Sequence, residues 1–273
     1  MSYAPAIPLS GYAGWAYLKR TMAQQTKAFN SAPDVKSDEA YFRENIGKIK
    51  TAAQLVEDRR LLKVALGAFG LEKDLENKFF IQKVLQDGTL KTGTLANKLA
   101  DKQYQKLSQA FGFGDYAVPS TQISTFADGI ISAYQARQFE AAVGAQNDDL
   151  RLALNAQREL PKLAAKTSSS ENTKWFTVLG NAPLRIVFEK ALGLPTSIGT
   201  LDLDQQLVAF KSKAKAQLGT DVIADFTDPA KVEGLMRRFL VRSEAQTFAQ
   251  SGSGSAALSI MQQISSHARS RYT

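Results

Sequence analysis

Apolar residues recur at spacings of three and four in nearly every segment of the chain, whereas alternation of β-branched with polar residues seldom lasts beyond three positions. This periodicity predicts an all-α fold. The stretch 51–69 shows both ends of a helix. Thr51 with Gln54 spells a capping box, Leu55, Leu62, Leu66 and Phe69 share one face, and Gly70 supplies a left-handed stop. Leu75 and Phe79 predict a following helix that Asp87-Gly88 ends. Leu95, Leu99, Leu107 and Phe111 predict another, from about Thr94 to the break at Gly112-Phe113-Gly114.

From Ser120, the series Ile123, Phe126, Ile130, Tyr134 opens a long helix that runs to about Gly144, and Asp148-Asp149 opens a second, their carboxylates suiting a first turn. These two are expected to form the centre of a multi-helix bundle, with Pro161 kinking or ending the second. The run Lys166 to Lys174 (KTSSSENTK) reads as a linker and marks the expected lobe boundary near 166–174. Asn181 and Pro183 then open a short helix closed by Gly193, and Gln205 to Leu218 forms another. Asp228-Pro229 is an N-cap followed by proline at the first helical position. It leads into Val232, Leu235, Met236, Phe239 and Leu240, the face of a well-buried amphipathic helix.

The segment Leu61–Leu71 echoes Leu184–Leu194 at an offset of 123, each a helix ending in Ala, a large apolar residue, Gly and Leu. Two pseudo-repeated lobes and the coincidence of a common helix ending both account for it. The expected organisation is an N-terminal amphipathic segment (1–35), a helical body (36–250), and a flexible joint with a C-terminal amphipathic helix (251–273). The joint is Ser251-Gly252-Ser253-Gly254-Ser255. The ends carry little charge and present Trp15, Leu18, Met22 and Phe29 on one side, Ile260, Met261 and Ile264 on the other. They either dock on the body or form partner-binding surfaces.

Charge sharpens this only slightly. The chain has 273 residues, 34 Lys+Arg against 26 Asp+Glu, and a net charge of +8. The excess is diffuse, its densest clusters being Arg59-Arg60, Arg237-Arg238 and the alternating Lys211, Lys213, Lys215. That argues against a nucleic-acid partner, which needs a concentrated basic stripe, and for solvated helix faces. Met1 to Leu18 is uncharged but interrupted by Pro5, Pro8, Gly11 and Gly14 and followed by Lys19-Arg20, the reverse of a signal peptide. With no stretch of about 20 apolar residues to span a bilayer, the expectation is a soluble protein made in the cytoplasm.

Candidate chemistry is sparse. The chain has no Cys, and its single His267 lies beside Arg269 and Arg271, which leaves no base for a nucleophilic triad and no zinc or haem ligand set. Carboxylates at Asp202 and Asp204, at Asp221, Asp225 and Asp228, and at Asp148-Asp149 lack the calcium-loop pattern and look like helix starts. Phosphate-loop and dinucleotide fingerprints are missing. No cofactor, no metal and no catalytic residue is therefore expected. One polar constellation stands out: Glu140 on the first long helix, with Arg151, Asn155 and Arg158 on one face of the second. It is either a structural ion pair fixing helix register or a site for an anionic ligand.

Several of these segments together carry a resemblance. Asp38–Ile46, Leu55–Leu62 with Ala68–Leu71, Leu99–Tyr104, Glu140–Gly144 with Leu150–Leu154, and Trp175–Arg185 resemble a bacterial family catalogued as domain of unknown function twelve-seventeen. The likeness runs from about Tyr41 to Arg242, departing at Lys102-Gln103, where an arginine is expected before Tyr104. The resemblance implies a helical protein with no assigned enzyme activity, whose relatives' genes tend to lie among flagellar genes. The expected function is thus a non-enzymatic structural or assembly protein of the flagellum. Its partners would be flagellar components or further copies of itself, and export through the flagellar apparatus is open to it. The alternative is a cytoplasmic helical domain that binds, or acts on, an anionic small molecule through Glu140, Arg151 and Arg158.

Overall fold

The computed structural model describes residues 3–269, and side chains within residues 3–249. Among the described residues the chain is all-α, without a strand. The helices are α1 (Gly11–Asn30), α2 (Pro33–Asn45), α3 (Ala52–Glu57), α4 (Arg59–Phe69), α5 (Lys78–Asp87), α6 (Leu95–Lys98) and α7 (Gln103–Phe111). They continue as α8 (Phe126–Gly144), α9 (Asp148–Ala164), α10 (Glu171–Gly180), α11 (Ala182–Leu192), α12 (Leu203–Leu218) and α13 (Pro229–Arg269). No helix among the described residues is long and apolar enough to cross a membrane.

The chain forms two compact units: a first of Met1–Pro8 and Tyr17–Arg151, and a second of Leu9–Ala16 and Leu152–Thr273. The division falls inside α9, so the expected boundary near 166–174 is corrected. The polar residues of that run act as helix-start chemistry instead. Ser170 Oγ accepts from Thr173 N at 3.2 Å, capping α10. Lys174 is buried, its Nζ donating to the Ala164 carbonyl at 3.1 Å and to Glu171 at 3.0 Å.

Local chemistry explains the other departures. The helix expected over 51–69 keeps its Thr51/Gln54 capping box but is two helices, because Asp58 leaves helical geometry. Its carboxylate accepts from Arg60 N and Leu61 N, both at 3.0 Å, restarting the chain as α4. Phe79 is 90% exposed, since α5 buries Ile81, Val84 and Leu85 on a different face. Pro161 is accommodated within α9, which ends one turn later. The Ser251–Ser255 run lies inside α13 and forms no joint. Each glycine there costs a helix only about 1 kcal/mol relative to alanine, far less than a proline break.

The first unit buries α4 against α2 and α8, with Phe42, Leu55, Leu61, Leu62, Leu66 and Ile131 in one core. The second packs α11 against α13, α10 and α12 around Trp175, Phe188, Phe210 and Phe239. The sequence echo marks a shared internal plan. Asp58 and Asn181, 123 residues apart, cap α4 and α11, accepting from Leu61 N and Leu184 N. Buried Ala52, Leu55 and Val56 recur as Trp175, Val178 and Leu179, and buried Leu61, Val64, Ala65 and Ala68 as Leu184, Val187, Phe188 and Ala191.

Both helices end on a left-handed glycine, Gly70 (φ 73°) and Gly193 (φ 66°), with matched closing bonds from Leu71 N to Leu66 O and from Leu194 N to Glu189 O. An arginine from the packed helix rests on each glycine. A Cβ at Gly70 would meet Arg137 Nη1 at 2.6 Å, and one at Gly193 would meet Arg242 Nη2 at 2.1 Å. The correspondence continues along α8 and α13 at an offset of 105, where buried Ala127, Ile130, Ile131 and Tyr134 match Val232, Leu235, Met236 and Phe239.

Gly193→Ala combines left-handed strain with this clash, whereas a Cβ at Gly219, also left-handed at φ 75°, meets nothing within 4 Å. In urea denaturation Gly219→Ala is expected to cost about 1 kcal/mol, and Gly193→Ala clearly more. Burial, together with the facing Asp38 carboxylate, pushes the Tyr134 phenol up. A group whose pKa is raised on folding stabilises below its unfolded value, about 10 for tyrosine, and loses that contribution as pH rises through the folded value. Tyr134→Phe should change neutral-pH stability by less than about 1 kcal/mol. It should also flatten the loss of stability above pH 10, measured by melts at stepped alkaline pH.

Candidate functional site

The residues singled out in the sequence divide into two outcomes. Glu140 lies buried on α8 in the first unit. Arg151, in the first turn of α9, lays its side chain on Gly144, where a Cβ would stand 2.4 Å from Arg151 Cδ. Its Nε donates to Asp148 Oδ1 at 2.7 Å. In the second unit Arg158 pairs with its neighbour Glu159. Asn155 is buried, and its Oδ1 has no hydrogen-bond partner among the described residues. Each arginine is thus engaged by a carboxylate of its own helix.

The N-terminal stripe is an interior feature, the first of the two outcomes left open for it. Trp15 and Leu18 are fully buried, Phe29 is buried edge-to-face on Phe139 at 5.8 Å, and Met22 is half-buried. Trp15 Nε1 donates to Glu233 Oε2 at 3.4 Å and the Tyr12 hydroxyl to Oε1 at 3.0 Å. Gln25 fixes the segment before α1, its Oε1 accepting from Ala6 N at 2.7 Å and its Nε2 donating to Ala6 O at 3.1 Å. A stripe of large apolar residues gains more from burial than from exposure, roughly 1.5–3 kcal/mol per side chain. The side chains of Ile260, Met261 and Ile264 lie outside the described residues.

A third arrangement escaped the sequence reading. In the second unit an open groove of about 700 Å³ runs between the end of α12 and the first turns of α13. Its floor is apolar, with buried Phe226 and Leu235 beside Leu218, and Phe226 packs edge-to-face on Phe188 at 5.7 Å. Its walls are basic. Lys231, Arg237, Arg238 and Arg242 face it against a single carboxylate, Asp228. Arg238 Nε donates to the Ala191 carbonyl at 3.0 Å, satisfying an end of α11. Arg237 lies over the Tyr12 ring at 5.5 Å.

Lys231 approaches Asp225 at 3.4 Å. A hydrogen bond from the Thr220 hydroxyl, with Lys231 and Lys215 beside it, holds Asp225 below the usual carboxylate range despite the opposing effect of burial. The Arg237-Arg238 pair was visible in the sequence. What hid the groove is its make-up: the end of α12, the connection 219–228 and one face of α13 line it together, and no local pattern links them. No group of three or more metal-ligating side chains is gathered anywhere among the described residues.

The class defined by these features is an all-helical protein of two units with an open, basic-walled apolar groove. The chain belongs to the family described as Protein of unknown function (DUF1217), whose model matches residues 68–232. The chain is similar to protein AGR_C_984 from Agrobacterium tumefaciens, solved by X-ray crystallography, at 27% identity and a TM-score of 0.71. That match covers 89% of this chain and 99% of the other. No curated protein matches the chain.

Trp15→Ala should cost about 3–5 kcal/mol, as expected for a buried aromatic. Phe248→Ala, at a site 71% exposed, should stay within about 0.5 kcal/mol of the parent. Urea melts of the two variants side by side check the assignment of α1 to the interior.

Proposed function

We propose that this chain is a non-enzymatic assembly protein of the bacterial flagellum that works through protein–protein contacts. One observation carries the reading. Among the residues whose side chains are described, Ser243 is the last buried one on α13 and residues 245–249 are all exposed, while the helix itself continues to Arg269. Phe248 stands 71% exposed there, one heptad beyond Val241, which is 50% exposed. A helix of 41 residues is roughly 60 Å long at 1.5 Å per residue. Exposed aromatic residues on an extended helix are a common anchor for partner proteins. The flagellar assignment follows from the gene neighbourhood implied by the family resemblance, and synthesis in the cytoplasm with delivery to, or through, the export apparatus belongs to the same proposal.

Affinity capture of the tagged chain from motile cells, beside a strain lacking the flagellar base, tests this. Flagellar components should be recovered only when the base is present. Deletion of 250–273, or Phe248→Ser, should abolish recovery while leaving the melt of the body unchanged. Recovery of no flagellar component, or equal recovery without the base, would sink the proposal.

A further inference from the structure

The groove between α12 and α13 gathers more positive charge than its own carboxylates answer. Asp228, the one carboxylate in its lining, accepts from Ala230 N at 2.8 Å and so caps the start of α13. Asp225 pairs with Lys231. The two acidic residues further along the described part of α13 serve the N-terminal segment instead. Glu233 accepts from Tyr12 and Trp15, and Glu244 from Ser10 Oγ at 2.8 Å. Arg237, Arg238 and Arg242 therefore have no carboxylate partner among the described residues.

The shared plan of the two units does not call for these charges. The first unit closes its matching helix pair with one arginine, Arg137 resting on Gly70 as Arg242 rests on Gly193. The register of 105 that pairs those two arginines sets neutral Phe126, Ser132 and Ala133 against Lys231, Arg237 and Arg238. Gly234 and its mate Gly129 both have open space where a Cβ would stand, so the gap belongs to the plan and the added cations do not. Lys231 also lies in the first turn of α13, the end at which a helix dipole disfavours a cation.

The groove's volume of about 700 Å³ lies in the range of small-molecule sites, which typically set a few charges in apolar surroundings. Half-buried Leu218, exposed Ala230 and half-exposed Val241 offer apolar contact, to which the alkyl stems of the arginines add. Helical spacing puts Gly234 and Arg238 between Arg237 on one side and Arg242 on the other. Guanidinium forks hold carboxylate and phosphate oxygens through paired hydrogen bonds. We propose that the groove binds a small organic anion from solution, its phosphate or carboxylate head held among Arg237, Arg238 and Arg242 and its apolar body lying over Gly234 and Leu218. This site is separate from Glu140, Arg151 and Arg158 and from Phe248, and it does not depend on the flagellar reading.

The test is isothermal titration calorimetry of the full-length protein with octyl phosphate below its micelle concentration, with inorganic phosphate, octanol and octylammonium as controls. Octyl phosphate should bind at least roughly tenfold tighter than each control, and its affinity should fall with salt. Arg237→Gln, at an exposed position, should weaken binding roughly tenfold with the fold intact. Gly234→Leu fills open space on a helix, so it should keep or raise the melting temperature while weakening binding by roughly tenfold or more. Phe248→Ser should leave binding unchanged.

Absence of octyl phosphate binding overturns the proposal. So does equal binding of inorganic phosphate, which would reduce the groove to an anion patch, or of octanol, which would reduce it to an apolar slot. Binding indifferent to both Gly234→Leu and Arg237→Gln would put the probe elsewhere and reject the site. Vesicles of phosphatidylglycerol in phosphatidylcholine separate a membrane source from a soluble one. Cosedimentation that Arg237→Gln abolishes, without binding of monomeric octyl phosphate, would assign the groove to a lipid surface and overturn the proposal. Octyl phosphate binding with the expected variant effects, alongside failed flagellar capture, would uphold the groove and reject the flagellar assignment alone.

Discussion

Each unit depends on the way one helix end is closed. When α4 and α11 stop on left-handed glycines, their last carbonyls are left without partners inside the helix and point toward the element packed across them. In both units that element brings an arginine to the spot, Arg137 from α8 and Arg242 from α13. The guanidinium brings a charge that suits the negative end of the helix dipole. Its position also sets how far the two helices slide against each other, because a methyl group in place of either glycine hydrogen would collide with it. The apolar pairs on either side then fall into register, from Ala127 to Tyr134 in one unit and from Val232 to Phe239 in the other.

This constraint was half legible in the sequence. Periodicity, Thr51, Asn181, Gly70, Gly193 and Asp228-Pro229 marked helix starts and stops that the structure keeps, and the all-α class followed from them. The failures share a physical origin. Asp58 and Ser170 are polar residues whose side chains bind nearby backbone N–H groups, and composition alone does not separate a cap from a linker. Phe79 fitted an apolar spacing yet points outward, because spacing says which residues share a face and not which face meets the core. The groove was unreadable for a different reason. It is assembled from the end of α12, the stretch 220–228 and one face of α13, which only the folded chain brings together.

The positive charge of the chain likewise separates into kinds. Arg43 with Asp128, Arg59 with Glu76 and Lys83 with Asp87 are surface pairs that contribute little to stability. Arg238, bound to the Ala191 carbonyl, holds helices together. A diffuse net charge of +8 therefore conceals one place where four cations converge above an apolar floor, and that convergence follows from helical geometry rather than from any basic run in the sequence.

The second unit is also discontinuous along the chain, since residues 9–16 belong with 152–273. Trp15 leaves the ribosome long before Glu233, the acceptor that its indole nitrogen reaches, is made. At translation rates of 5–20 residues per second the wait is roughly ten to forty seconds. Throughout that interval the nascent chain carries a large indole whose acceptor has not yet been synthesised. Completion of the second unit around Trp15 thus waits for the synthesis of α13, and until then this part of the first helix has no place to pack.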